Sequence, residues 1–272
     1  MLRTPQAFRV FAVAFPAAVG LGTAAVFLVG AWDFWEHLAA VRALAEGPWR
    51  PGHPILDTAR PSHLYTPYHL GWALVMRALG ADILAVAVAA AAVNAALFVG
   101  AVSVLDRLLG GTGRDRLLLA LTLLFAWVLP WRHSGVYGAG LLPASAVFAS
   151  AFAQPLAVFV FAAARRAPTA GPRAAAAWAA VAVGAAGVFV VHPATGAFLA
   201  VALGLCGLAW VRDRDVRAVW LAGAAGTAGA LCLEWPLFPV AGAALRSGEY
   251  AALGFGGAPG LWQEGAAYRL LP

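Results

Sequence analysis

Long apolar runs alternate with short polar interruptions along this chain, and the runs are the length of membrane crossings. The first covers about 9–32 and closes on Trp32. A polar stretch follows, and within it the 3.6-residue period of Phe34, Leu38 and Val41 predicts an amphipathic helix over 34–46. Gly47-Pro48 breaks that helix, and five of the chain's 17 prolines fall in 48–67, the mark of an ordered but irregular loop. TPYHLGWALVMRAL (66–79) predicts a short helix with Thr66 as N-cap and Pro67 at its first position. Apolar runs then recur at about 83–105, 117–131, 143–164, 174–191, 195–211 and 217–234.

A bilayer crossing takes roughly 20 apolar residues as a helix. The pattern therefore predicts an all-α fold, a polytopic transmembrane helical bundle of about seven or eight membrane helices in a single domain, 1–272. Its parts are a first span (9–32), a structured loop region (33–80), a helical bundle (83–234) and a tail (235–272). The segment 66–79 is short for a span and reads as re-entrant or surface-lying.

Composition agrees. The chain is 62% hydrophobic and 11% charged, with mean hydropathy +0.81, against about a quarter charged in soluble domains. The net charge of +6 comes with no lysine at all, and the arginines cluster between apolar runs. DRLLGGTGRDR (106–116), RRAPTAGPR (165–173) and RDRDVR (212–217) carry three each, while the intervening turns are nearly bare of them. That alternation is the positive-inside pattern, and it excludes a nucleic-acid reading of the basic pI. It places the N-terminus and the arginine-rich loops in the cytoplasm if 66–79 does not cross. Arginine in place of lysine, with abundant alanine, fits a bacterial inner membrane protein. Cys206 and Cys232 lie in apolar runs and read as small core residues. The first apolar run is too long for a secretory signal and reads as an uncleaved span.

With that topology the chemistry gathers at the outer end: all six histidines, Asp33, Glu36, Asp57, Tyr137 and Glu234. On a helix Asp33, Glu36 and His37 stand at i, i+3 and i+4 and share a face. Tyr65 and His69 share another beside Trp72, with His63 preceding them; an aromatic interface belt accounts for Tyr65 and Trp72 equally well. Arg132-His133 and Arg60 are cations on the outer side, suited to a phosphate or to snorkelling at the interface. His192 stands in a turn with Pro193. Glu234 ends an apolar run, where a carboxylate wants a partner. Asn94 and Gln154 fall mid-span as interhelical hydrogen bonders.

WDFWEHLAAVRALAEG, the proline-rich HPILD loop and HLYTPYHLGWALVMRALG resemble the start of the GT-C superfamily of integral membrane glycosyltransferases, over residues 9–107. The resemblance implies sugar transfer from a polyprenyl-phosphate carrier to an extracytoplasmic glycan, lipid or protein acceptor. It implies that Asp33 is the first-loop acid, acting as base or metal ligand, with Glu36 as a second acid. It puts Tyr65, Pro67 and His69 near the active cavity. EWPLFPV (234–240) is similar, more weakly, to later loops of the family. Cationic Arg60, Arg132 or His192 would then meet the departing phosphate, with His37, His63, Tyr65, His69, His133 and Glu234 lining the substrate site. A divalent magnesium or manganese ion, if one is held, would use Asp33 and Glu36. Members of the family usually run longer, so the resemblance also implies a fragment, a short relative or part of a split enzyme. The competing reading is a non-catalytic membrane protein: a transporter of a polar or lipid-linked substrate, or an envelope-assembly scaffold.

Overall fold

The computed structural model describes residues 4–27, 32–49, 51, 53–54, 62, 64–125, 145–233 and 235–237. Among them the regular structure is entirely helical: α1 Thr4–Val26, α2 Trp32–Glu46, α3 Pro67–Leu79, α4 Ile83–Leu108, α5 Arg116–Phe125, α6 Ala149–Arg166, α7 Pro172–Val191, α8 Pro193–Arg212 and α9 Arg217–Leu233. Four helices are long and apolar enough to cross a membrane, over Pro5–Val26, Ile83–Leu108, Pro172–Val191 and Pro193–Arg212, and α9 is a shorter apolar helix.

Several expected boundaries move. The first helix begins near Thr4 rather than at 9, because Pro5 falls in a first turn where no N–H partner is lost. It ends at Val26, and Trp32 opens α2 instead of closing the first span. The run expected at 143–164 becomes Ala149–Arg166, with Phe148 in the extended conformation of an N-cap residue.

α1 and α4 pack antiparallel. A Cβ on Gly20 would meet Val88 and Ala92, and the Phe15 ring lies 5.8 Å from Phe98. Small residues line this contact, as membrane helix interfaces require, since lipid supplies no hydrophobic drive to press helices together. α6 runs beside the second half of α4, with Phe159 against Gly100. α7 returns along α6, where Val160 lies so near Gly184 that a Cβ there would overlap it at 2.6 Å. These contacts put the ends of α4, α6 and α8 and the starts of α1, α7 and α9 at one pole. Arg107, Arg116, Arg165, Arg166, Arg173, Arg212, Arg214 and Arg217 all belong to it.

α3 is the exception to full-length packing. Gly80, at φ 59°, closes it with a left-handed cap that L-residues with side chains adopt reluctantly, and Asp82 then caps α4 by accepting from the Ala85 N–H at 2.7 Å. Folded back this way, Tyr68 in the first turn of α3 meets Asn94 in the middle of α4. At 1.5 Å per residue α3 is about 20 Å long against about 39 Å for α4, so α3 accompanies only the first half of its neighbour.

α2 packs deeper than the amphipathic pattern implied. Phe34, Leu38, Ala39, Ala40, Val41 and Leu44 are all buried; Phe34 and Leu38 join a core with α1 and α4, and Ala40, Val41 and Leu44 a second one with α3. The helix read as amphipathic is clamped into the bundle.

Candidate functional site

Away from the arginines, level with the middle of α4 and the α7–α8 turn, lies a hydrogen-bonded cluster assembled from α2, α3, α4 and the segment leading into α6. His37 Nδ1 lies 2.7 Å from His69 Nε2. His69 Nδ1 lies 2.9 Å from Thr66 Oγ1. The capping position explains the second link: Thr66 has N-cap backbone geometry, but its hydroxyl makes no cap bond and reaches instead to the imidazole three residues on. His69 is completely buried, and the His37 ring stacks on Phe148 with centroids 4.7 Å apart.

Only one proton fits between two ring nitrogens at this distance. Two tautomeric arrangements satisfy the chain. His37 donates from Nδ1 to His69, whose Nδ1–H donates to Thr66; or the Thr66 hydroxyl donates to His69, which donates from Nε2 to His37. Moving one proton at each link interconverts them.

A second set of bonds fixes the backbone around this pair. The Tyr68 hydroxyl donates to the Val147 carbonyl at 2.7 Å. Asn94 Nδ2 donates to the Tyr68 oxygen at 3.0 Å and to the Ala146 carbonyl at 2.7 Å. One amide in an otherwise apolar helix thereby ties α4 to α3 and to residues 146–147. The Trp235 indole N–H donates to the Tyr65 carbonyl at 2.8 Å, bringing the end of α9 to the same place. Burial pushes the Tyr65 phenol well above its ordinary range, so it remains a neutral hydroxyl.

Of the residues that the sequence proposed, His37, Tyr65 and His69 converge here. Tyr65 is fully buried, which corrects the interface-belt reading: a belt residue keeps its hydroxyl in the headgroup layer. His192 is near by, since the preceding Val191 packs in one cluster with Tyr68, Ala149 and Ala153. Its ring is engaged in capping α8. Nδ1 accepts from the Thr195 N–H at 3.2 Å and lies 2.8 Å from the Thr195 hydroxyl. Burial also pulls its pKa below the ordinary 6.5, so it is a neutral cap and not a fixed cation for phosphate. Burial lowers His53 similarly. Glu36 is half-buried on α2. Asp33 stands in the first turn of α2, one turn before His37, and its side chain lies outside the described residues, as do Arg60, His63, Arg132, His133 and Glu234. Among the described residues no group of three or more His, Cys, Asp or Glu is placed to hold a metal ion.

The sequence did not single out Tyr68 or Phe148, and it read Thr66 only as a cap. Tyr68 was findable as the second aromatic of YTPYH; Phe148 had no signal, being one phenylalanine among 15. Between α7, α8 and α9 lies an apolar groove of about 730 Å³, reaching from Gly196 and Cys232 at the histidine end to Val211 and Ala218 at the arginine end.

No family model, curated protein or solved structure matches this chain.

Proposed function

We propose that this protein is a GT-C-type membrane glycosyltransferase of the bacterial inner membrane. In this reading it moves a sugar from a polyprenyl-phosphate carrier to an acceptor hydroxyl on the extracytoplasmic side. The observation that carries the reading is the buried polar cluster away from the arginines, where His37, one helical turn along from Asp33, meets His69 of α3. A lipid-linked sugar presents a greasy tail and a polar head, and the apolar groove between α7, α8 and α9 supplies walls suited to such a tail. The positive-inside pattern supports an outer location for the cluster. A seven- or eight-span bundle is part of the same proposal.

The mechanism is an inverting displacement. The Asp33 carboxylate activates the acceptor hydroxyl, with Glu36 beside it on the same helical face. Outward cations, Arg60 and Arg132 in the proposal, balance the charge that grows on the departing phosphate. The test is sugar transfer by the purified full chain in nanodiscs with polyprenyl-phosphate sugars. Asp33→Asn is expected to abolish transfer at unchanged expression; full turnover in that variant would remove the carboxylate from the mechanism.

One observation favours a second reading, transport of a polar or lipid-linked substrate. Asn94, and with it Tyr68, sits beside the middle of a 26-residue helix, the depth at which transporters place their sites. Substrate flux in proteoliposomes without sugar transfer would select it.

A further inference from the structure

The arginine pole divides into two parts that differ in charge balance. In the α4–α5 turn, residues 106–116, three arginines stand against Asp106 and Asp115. In the α6–α7 and α8–α9 turns, residues 165–173 and 212–217, six arginines stand against Asp213 and Asp215, an excess of four. Those two aspartates are already taken, by Arg212 and by Arg217. Among the described residues Arg165, Arg166, Arg173 and Arg214 form no ion pair, and all four are exposed.

The α6–α7 and α8–α9 turns form one surface. Arg217 Nη1 donates to the Arg165 carbonyl at 3.4 Å, and the Trp220 indole N–H donates to the Thr169 carbonyl at 3.2 Å. Trp178 holds the same loop through the Pro168 carbonyl at 3.1 Å. Beneath the loop Trp178 stacks on Trp220 with centroids 6.5 Å apart and meets Trp210 edge-on at 6.4 Å. Indoles from three helices thus fix the backbone that carries the four arginines.

The α8–α9 turn adds an independent sign. The Asp215 N–H donates to the Trp210 carbonyl at 2.8 Å and the Arg214 N–H to the Val211 carbonyl at 3.1 Å. This helix ending puts its C′ residue in the left-handed region, where glycine is the usual occupant. Here that residue is Arg214, at φ 55°. The turn gains nothing from a side chain at that position, and Arg214 makes no ion pair that would repay the strain.

We propose that the joined turns hold the head group of an anionic phospholipid from the leaflet on the arginine side, its phosphate met by Arg165, Arg166, Arg173 and Arg214; the inference does not rest on the transferase reading. Charge complementarity selects an anion, and the wall below the arginines selects a lipid. Leu208, Val211 and Val219, within about a turn of the rim, are 68%, 64% and 71% exposed. A cationic rim above an apolar wall complements an anionic amphiphile, whereas a free phosphate would use the rim alone. A second copy of the chain would set like charges against each other.

The experiment is native mass spectrometry of the full chain in neutral-detergent micelles doped with phosphatidylglycerol or with phosphatidylcholine of the same acyl chains. Retention of phosphatidylglycerol in preference to phosphatidylcholine is expected; equal retention overturns the proposal. Arg214→Gly should weaken phosphatidylglycerol binding about fivefold, the worth of one basic residue at an anionic surface, with a Tm equal to or above the wild type. A lower Tm would mean that Arg214 serves the fold and would overturn the argument from the turn. Arg173→Gln should weaken binding similarly, and the joint replacement Arg165→Gln with Arg166→Gln should weaken it further. Arg114→Gln, in the α4–α5 turn, is the control and should leave binding unchanged. An equal loss there would show diffuse attraction to the whole pole and overturn the site. Displacement of the lipid by inorganic phosphate, or a dimer that excludes the lipid, would overturn it as well.

Discussion

The two poles of the bundle satisfy their polar groups in opposite ways. At the arginine end the ion pairs are local in sequence. Arg116 bridges Asp106 at 2.9 Å across the GGTG turn, Arg212 pairs with the adjacent Asp213, and Arg217 pairs with Asp215 while lying over Trp210. Trp178 and Trp220 donate their indole N–H groups to the carbonyls of Pro168 and Thr169, in the manner of interface anchors. At the histidine end the partners come from far apart: His37 and His69 are 32 residues distant, Asn94 and Ala146 are 52, Tyr68 and Val147 are 79. One pole pairs its charges within single turns and ties those turns together by a few bonds to backbone carbonyls. The other exists only because four segments converge.

Burial gives the contrast its energetic meaning. An exposed ion pair trades water for a partner of similar worth and adds little. A buried hydrogen bond has no water to fall back on, so removing one partner costs the desolvation of the other.

Ways to break this comparison rank by expected size. Asn94→Ala should cost about 3 kcal/mol in denaturant unfolding of the micelle-bound protein, since two buried bonds go and the Ala146 carbonyl is stranded. A cost below that of any arginine-end substitution would invert the ranking. Arg116→Ala comes next at about 2 kcal/mol, because its carboxylate partner Asp106 is buried although the guanidinium itself is partly wet. His192→Ala should cost about 1 kcal/mol for the lost α8 cap, with His192→Asn retaining most of it. The same residue carries a pH signature. Its folded pKa lies below the unfolded 6.5, so the unfolded chain binds the proton first. Stability should be full above that value and decline as pH falls through it towards the folded pKa; His192→Asn should flatten this part of the profile. Arg212→Ala is the smallest, within about 0.5 kcal/mol, because both members of that pair are exposed. A larger loss there would show that the arginine pole is built by tertiary contact after all.

The arginine pole was legible residue by residue for this reason. Its turns, its charge clusters and the GGTG reversal lie within short windows, and Gly110 and Gly113 do adopt the positive φ that such a turn requires. The helix start at Pro67 was legible too, since proline preset for a first turn needs no distant partner, whereas α7 and α8 begin at Pro172 and Pro193, two residues before the runs expected there. Half of the histidine cluster could be named from chemistry alone, as imidazoles and a tyrosine gathered near one end. Which imidazole meets which could not. The belt alternative for Tyr65 stayed open in the sequence because a helical face says nothing about what covers it, and here α2 and Trp235 do. His192 looked like a cation for phosphate because its cap bond depends on the backbone at Thr195.

By itself the sequence determined that the chain is a helical membrane protein with one arginine-rich pole, because apolar length and charge asymmetry act over windows shorter than the chain's own folding. Only the tertiary structure decided that α3 stops beside the middle of α4, that Asn94 joins three segments, and that His37 Nδ1 meets His69 Nε2. Those facts depend on distances between residues tens of positions apart, and no local preference encodes such a distance.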